Sequence, residues 1–171
     1  MQHNRVNLFL PAMAILMSAC AGTQVPPYGI REGELPPCAD ARTCLSSHPD
    51  EREVAQADVL EYDGTRREGR SALAAVIQGF PGARIVSSHR TYLRVEFTGS
   101  VFREGDEFYF QSETMVDEVE FYFPPQRNII HVRAAARAGP IDRDRGRDRF
   151  RALQTLIREY QDRSGQSSLR L

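Results

Sequence analysis

Between Arg66 and Phe80 the large apolar side chains recur at Leu73, Val76, Ile77 and Phe80, and Pro81-Gly82 stops the run. That spacing is one stripe of a 3.6-residue period, so the pattern predicts an amphipathic helix over 66–79. A different rhythm follows. Tyr92 to Thr98 alternates apolar and polar residues, as do Glu107 to Gln111, Val116 to Phe123 and Asn128 to Arg137, while Ala83 to Ser87 is a short apolar run. Alternation places successive side chains on opposite faces of a strand. Val119, Phe121 and Phe123 are therefore expected on the core face, with Glu118, Glu120 and Tyr122 turned away. Val59 to Tyr62 reads as a further short strand closed by Asp63-Gly64, and Pro124-Pro125 with Asn128 marks the turn before the last strand. Phe150, Leu153, Leu156, Ile157 and Tyr160 return to the helical period, with Asp142 or Asp144 as amino-terminal cap. The order of strand, helix, strand meander and helix predicts an α+β two-layer sandwich. It consists of a mainly antiparallel sheet of about five or six strands with both helices on one face.

Ahead of this region the chain has another character. His3 and Arg5 precede an apolar run from Val6 to Met17, then Leu16-Met17-Ser18-Ala19-Cys20. The run is too short to span the roughly 30 Å of a bilayer's hydrocarbon and has the flanks of a secretion signal. Small residues before a cysteine resemble the lipobox of bacterial lipoproteins, which implies removal of residues 1–19 and lipidation of Cys20. Cleavage after Ala21, within Ala19-Cys20-Ala21, is the alternative. Alanine rather than aspartate at position 21 implies, by the same resemblance, the periplasmic face of the outer membrane. Residues 20–36 hold Pro26, Pro27, Gly29, Gly33 and Pro36 without apolar periodicity, and are expected to be a flexible tether reaching up to about 50 Å. The folded domain is expected over 37–163, with a frayed tail at 164–171.

Composition narrows the function classes. With 41% hydrophobic and 26% charged residues the chain is that of a folded protein,, and a net charge of −1 offers no basic field for nucleic acid,. All 22 basic residues are arginine. With Cys20 lipidated, Cys38 and Cys44 remain as an even pair, expected to form a disulfide in an oxidising compartment. Closing so short a loop stabilises by about 2 kcal/mol on the chain-entropy estimate. A redox or metal pair with His48 as third ligand fits poorly, because the spacing matches neither thioredoxin-like nor zinc sites.

Several separated pieces point to one family: Pro37-Cys38 through Cys44-Leu45-Ser46-Ser47, Tyr92-Leu93-Arg94-Val95-Glu96-Phe97, Val116-Asp117-Glu118-Val119-Glu120-Phe121, and Val132-Arg133 through Arg137-Ala138-Gly139, followed by Asp142, Arg147 and Arg149. From Pro37 to about Tyr160 the chain resembles the domain of unknown function 1499 family. It departs from that pattern at Ala134, Ala136 and Gly146, and Arg103 to Thr114 is longer than the family's usual connection, which implies an added hairpin strand. The resemblance implies a fold and supplies no mechanism.

Candidate chemistry is sparse. There is no phosphate loop, nucleophile elbow, His-Glu-x-x-His or calcium loop, so neither cofactor nor metal is expected. Asp142, Arg147 and Arg149 lie in an arginine-rich run that reads either as an anion site at a helix start or as a solvated helix face. On the sheet face away from the helices, Glu118, Glu120, His131, Arg133 and Arg137 are expected beside Tyr92, Tyr109 and Tyr122, a mixture favoured at binding hot spots. It reads equally as the polar outer face of a two-layer sheet. Asp117, Glu118 and Glu120 near His131 also invite a general acid/base reading, which would need them gathered in a cleft. The reading taken forward is a non-enzymatic lipoprotein module, held to the bilayer by Cys20, that binds an envelope protein or an anionic ligand. A hydrolase or transferase acting on an envelope substrate is the alternative, and a purely structural protein the third.

Overall fold

A computed structural model describes residues 28–50, 56–105, 107–137 and 143–168. In chain order the elements are β1 (Cys44–Ser46), β2 (Leu60–Glu61), α1 (Arg66–Gly79), β3 (Ala83–His89), β4 (Tyr92–Glu104), β5 (Glu107–Tyr122), β6 (Ile129–Ala136) and α2 (Arg143–Ser168). The six strands form one antiparallel sheet in the order β1-β6-β5-β4-β3, and β2 also pairs with β6. Both helices pack on one face, as the apolar periods require.

The first helix begins on a capping box. Thr65 Oγ1 accepts the Glu68 N–H, and the Glu68 carboxylate accepts the Thr65 N–H at 2.7 Å, which satisfies two donors that a helix start leaves free. It stops at Phe80, whose backbone is extended. Gly82 then turns the chain at φ +71°, where a Cβ would fall 2.1 Å from the Thr98 carbonyl oxygen, so no other residue fits without displacing β4,. The core lies between this face of the sheet and the helices. Leu93, Val95, Phe97, Val119, Phe121, Phe123, Val132 and Ala134 meet Leu73 and Ile77 of α1 and Phe150, Leu153 and Ile157 of α2.

Two expectations about length change. The stretches 107–111 and 116–123, read as separate strands, are one 16-residue strand. Its partner runs to Glu104, so that beyond a register shift between Thr98 and Ser100 the two strands continue as a ribbon paired from Ser100↔Gln111 to Glu104↔Glu107. The polar residues at 112–114 fall at that register shift, between Val116 paired with Thr98 and Gln111 paired with Ser100, and the longer connection extends the β4–β5 hairpin rather than adding a strand. At the other end α2 continues to Ser168, through the start of the expected tail.

The far face of the sheet is not left to solvent. Residues 28–44 cross it as a strap. Leu35 packs with Tyr92 and Tyr122, joined by Ile30, and Cys38, Ala41 and Cys44 pack on Ala135. Cys38 and Cys44 form a disulfide. Arg31 and Glu34 close a turn through reciprocal backbone hydrogen bonds of 2.8 and 3.0 Å. A tether extending to residue 36 is therefore corrected: from Tyr28 onward the chain is seated, because its few apolar side chains find partners on the sheet. Burying Leu35 alone contributes about 2 kcal/mol.

Under the strap lies a buried charge cluster. Glu120, 1% exposed, and Arg133, 2% exposed, face each other across β5 and β6. Glu120 Oε2 accepts from the Arg133 guanidinium at 2.7 Å, and Glu120 Oε1 accepts from the Tyr92 hydroxyl at 2.7 Å and the Gly29 N–H at 2.6 Å. Burial, followed by the hydrogen bond to this carboxylate, pushes the Tyr92 hydroxyl well above the usual tyrosine range,. Removing one member of such a pair strands a buried charge. Glu120→Ala and Arg133→Ala should each lower the unfolding free energy by about 3–5 kcal/mol, whereas Arg84→Ala, which removes a mostly exposed guanidinium from Glu96 and leaves Arg137 on that carboxylate, should cost less than about 1 kcal/mol,. Urea denaturation at pH 7 separates these values, and equal effects of Arg133→Ala and Arg84→Ala would show that the Glu120–Arg133 pair is not a buried cluster.

Candidate functional site

The charged residues singled out in the sequence separate into three places. Glu118, Glu120 and Arg133 are buried on the far face, so the open surface expected to display them with Tyr92 and Tyr122 does not exist; those tyrosines lie under Leu35 and Ile30. Arg137 remains at the rim, bridging Glu96 and Glu118, while Arg84 holds Glu96 from the other side. Tyr109 is far out on the ribbon, where its hydroxyl donates to Glu107 at 2.6 Å.

Arg149 belongs to the opposite face. It is 2% exposed, donates to Asp117 at 2.9 Å and the Gly99 carbonyl at 3.2 Å, and lies 4.9 Å over the Phe97 ring. It is a core residue, which neither the anion-site nor the solvated-face reading of the arginine run anticipated. Arg147, partly exposed, pairs loosely with Asp144 at 3.5 Å. Asp142 and Cys20 lie outside the described residues. The arginine run therefore does not converge with the far-face residues on a single surface.

What the fold does assemble is a cleft where the strap, the loop after β1 and the β5–β6 turn meet. It encloses about 140 Å³ and is lined by Glu34, Leu35, Ser47, His48, Arg127 and His131. Each wall has a local cause. The turn closed by Arg31 and Glu34 carries Glu34, and Leu35 anchors that turn on Tyr122. Ser47 is fixed because its hydroxyl oxygen accepts the Val132 N–H at 2.8 Å. Next to it, His48 donates its backbone N–H to Ser46 Oγ at 3.1 Å, and its Nδ1 accepts the Asp50 N–H at 3.1 Å. The proton of that ring is thereby on Nε2, which faces the Glu34 carboxylate at 3.1 Å. His131 stacks on Tyr122 with ring centres 6.3 Å apart, and its Nδ1 is 3.2 Å from Ser47 Oγ.

Electrostatics follow from this packing. Burial pushes the His131 imidazole below its ordinary value, and the nearby Arg127 guanidinium adds to the push, while the contact with Ser47 and the Glu34 carboxylate oppose it,. Arg127 is exposed and has no ion-pair partner among the described residues. Of the acid/base candidates, only His131 reaches this cleft; Glu120 is enclosed by three donors and Glu118 by Arg137. Sequence reasoning missed Glu34, Ser47 and Arg127 and weighed His48 only as a metal ligand. The one available signal was Ser46-Ser47-His48 directly after the cysteine pair.

The family described as a protein of unknown function (DUF1499) matches residues 34–157. This is well over half of the chain, which belongs to that family. The match opens at Glu34 and takes in every lining residue of the cleft. No curated protein matches the chain.

The depressed His131 value has a signed consequence for stability. The unfolded chain takes up a proton near pH 6.5, while the folded chain resists it until lower pH, so the contribution of neutral His131 is complete above about pH 6.5 and is lost as pH falls through that window. Thermal unfolding at pH 7.5 and 5.0 should show a smaller acid loss in His131→Gln than in the wild type. An unchanged difference between the two pH values would show that His131 is not held neutral by its surroundings.

Proposed function

We propose that this DUF1499 member is a lipid-anchored module of the bacterial cell envelope, at the periplasmic face of the outer membrane, that binds a ligand or partner rather than transforming it. The observation that carries the binding reading is the commitment of the buried charges. Glu120 with Arg133 and Asp117 with Arg149 are internal pairs, Glu118 is held by Arg137 at the rim, and these carboxylates, on which general acid/base chemistry would draw, do not meet His131 in the cleft. Among the described residues the cleft instead offers two imidazoles, a guanidinium and one carboxylate around a small apolar wall, a composition that suits recognition,.

Support for the anchor comes from the leader pattern and from Cys20. Tyr28, the first described residue of the strap, lies eight residues after Cys20, so the connection between them spans at most about 29 Å. A module on so short a lead would work beside the bilayer surface, with the cleft formed by the first residues that leave the tether.

A hydrolase acting on an envelope substrate is the second reading, favoured by the contact of Ser47 Oγ with His131 Nδ1 at 3.2 Å. Against it, Ser47 is buried and its oxygen already accepts the Val132 N–H, and the one carboxylate of the cleft engages His48 in place of orienting His131,.

In cells making the full chain, the protein should fractionate with membranes and its mature amino terminus should carry acylated Cys20. Cys20→Ser should release it. Recovery of the wild type in the cytosol, or an unmodified Cys20, would contradict the anchor. A serine-directed fluorophosphonate should leave Ser47 unlabelled, and stoichiometric labelling there would establish the hydrolase reading instead.

A further inference from the structure

We propose that the cleft between the strap and the β5–β6 turn binds a small oxyanion, a carboxylate or a tetrahedral phosphate-type group, held by Arg127 and His131. This rests on the binding reading above and names the class of ligand.

The first support is shape. About 140 Å³ is room for a compact anion with part of its solvation shell. Chemistry gives the second. Arg127 has no ion-pair partner among the described residues and stands close enough to His131 to disfavour its protonation. An exposed guanidinium lining the same cleft as an imidazole that can take up a proton suits a bound oxyanion,. Donor geometry gives the third. In the imidazolium form, His131 Nδ1–H is directed to Ser47 Oγ, which keeps a lone pair beside the Val132 N–H it accepts, and Nε2–H is left for a ligand,.

The remaining groups around His131 set the pH response. From the strap comes Glu34, from the loop after β1 come Ser47 and His48, from β5 the stacked Tyr122 ring, and from the turn Arg127. Among the described residues lining the cleft, Glu34 is the one acidic group, and it already accepts from His48. At neutral pH the cleft carries the guanidinium and one carboxylate, near balance. Protonation of His131 tips it positive, and by linkage an anion that favours the imidazolium must bind more tightly as pH falls.

The test uses the full-length chain in detergent micelles and follows the imidazole C2 proton of His131, assigned by its loss in His131→Gln; only four histidines are present in the sequence. Sulfate, whose charge is constant from pH 5.5 to 7.5, and acetate are titrated separately against chloride at equal ionic strength, which distinguishes tetrahedral from carboxylate recognition. At least one should shift the resonance saturably, with a Kd about tenfold lower at pH 5.5 than at 7.5, and Arg127→Ala should weaken binding about tenfold while Arg127→Lys restores part of it. Arg127 is exposed, and Tyr62 bonds only its backbone carbonyl, so the alanine variant retains the fold. Shifts no larger than those from chloride, or equal affinities for wild type and Arg127→Ala, would overturn the proposal. If that happens while the protein remains acylated at Cys20 in the membrane and Ser47 stays unlabelled, the oxyanion assignment alone falls. Labelling of Ser47 would bring down the binding reading itself.

Discussion

A carboxylate buried at the centre of a sheet face must be surrounded by donors, and Glu120 draws its three from segments far apart in sequence: Gly29 of the strap, Tyr92 of β4 and Arg133 of β6. A buried ion pair is weak evidence for net stability, since well-packed apolar residues often do as well. Its effect is to make alternatives expensive. Any arrangement that lifts the strap off the sheet exposes the Leu35 and Ile30 contacts and removes a donor from Glu120. Where Gly29 is pinned, the turn from Arg31 to Glu34 and the buried Leu35 follow, and with them one wall of the cleft. Fold and candidate site thus depend on one constellation.

Charge is used structurally on both faces of the sheet. On the helix side Arg149 spans from α2 to Asp117 and to the Gly99 carbonyl at the bulge, stitching the helix to the root of the β4–β5 ribbon while its guanidinium covers Phe97. On the far side Arg84, Glu96, Arg137 and Glu118 form a ladder across β3, β4 and β5 that ends at solvent, with Arg94 resting 4.5 Å over the Tyr28 ring beside it. Beyond these groups, the cleft between the strap and the β5–β6 turn gathers His48, His131 and Arg127.

Elements governed by a local period were legible in the sequence. The stripe from Leu73 to Phe80, the alternation from Tyr92 to Thr98 and the face of Phe150, Leu153 and Ile157 each encode which side is buried, and the structure places them accordingly. The far face was misread for a definite reason. Alternation says that Glu118 and Glu120 point away from the helices, which they do; it cannot say that an aperiodic strap lies over them. Arg149 was hidden in the same way, because its neighbours Arg147 and Arg151 are exposed in varying degree and only the three-dimensional turn of α2 directs one of them inward. The cleft was least legible of all, since it draws Glu34, His48, Arg127 and His131 from three separate segments that no short motif connects.

The dependence of the strap on the sheet can be read at a single atom. Amide hydrogen exchange of the full chain at pH 7 should find the Gly29 N–H protected to nearly the same degree as amides in the middle of β5 and β6, because opening it requires undoing the Glu120 cluster. Exchange of Gly29 at the rate of an unstructured peptide while β5 and β6 stay protected would show that the strap is only laid on the sheet, and that the cleft it helps to form has no fixed wall.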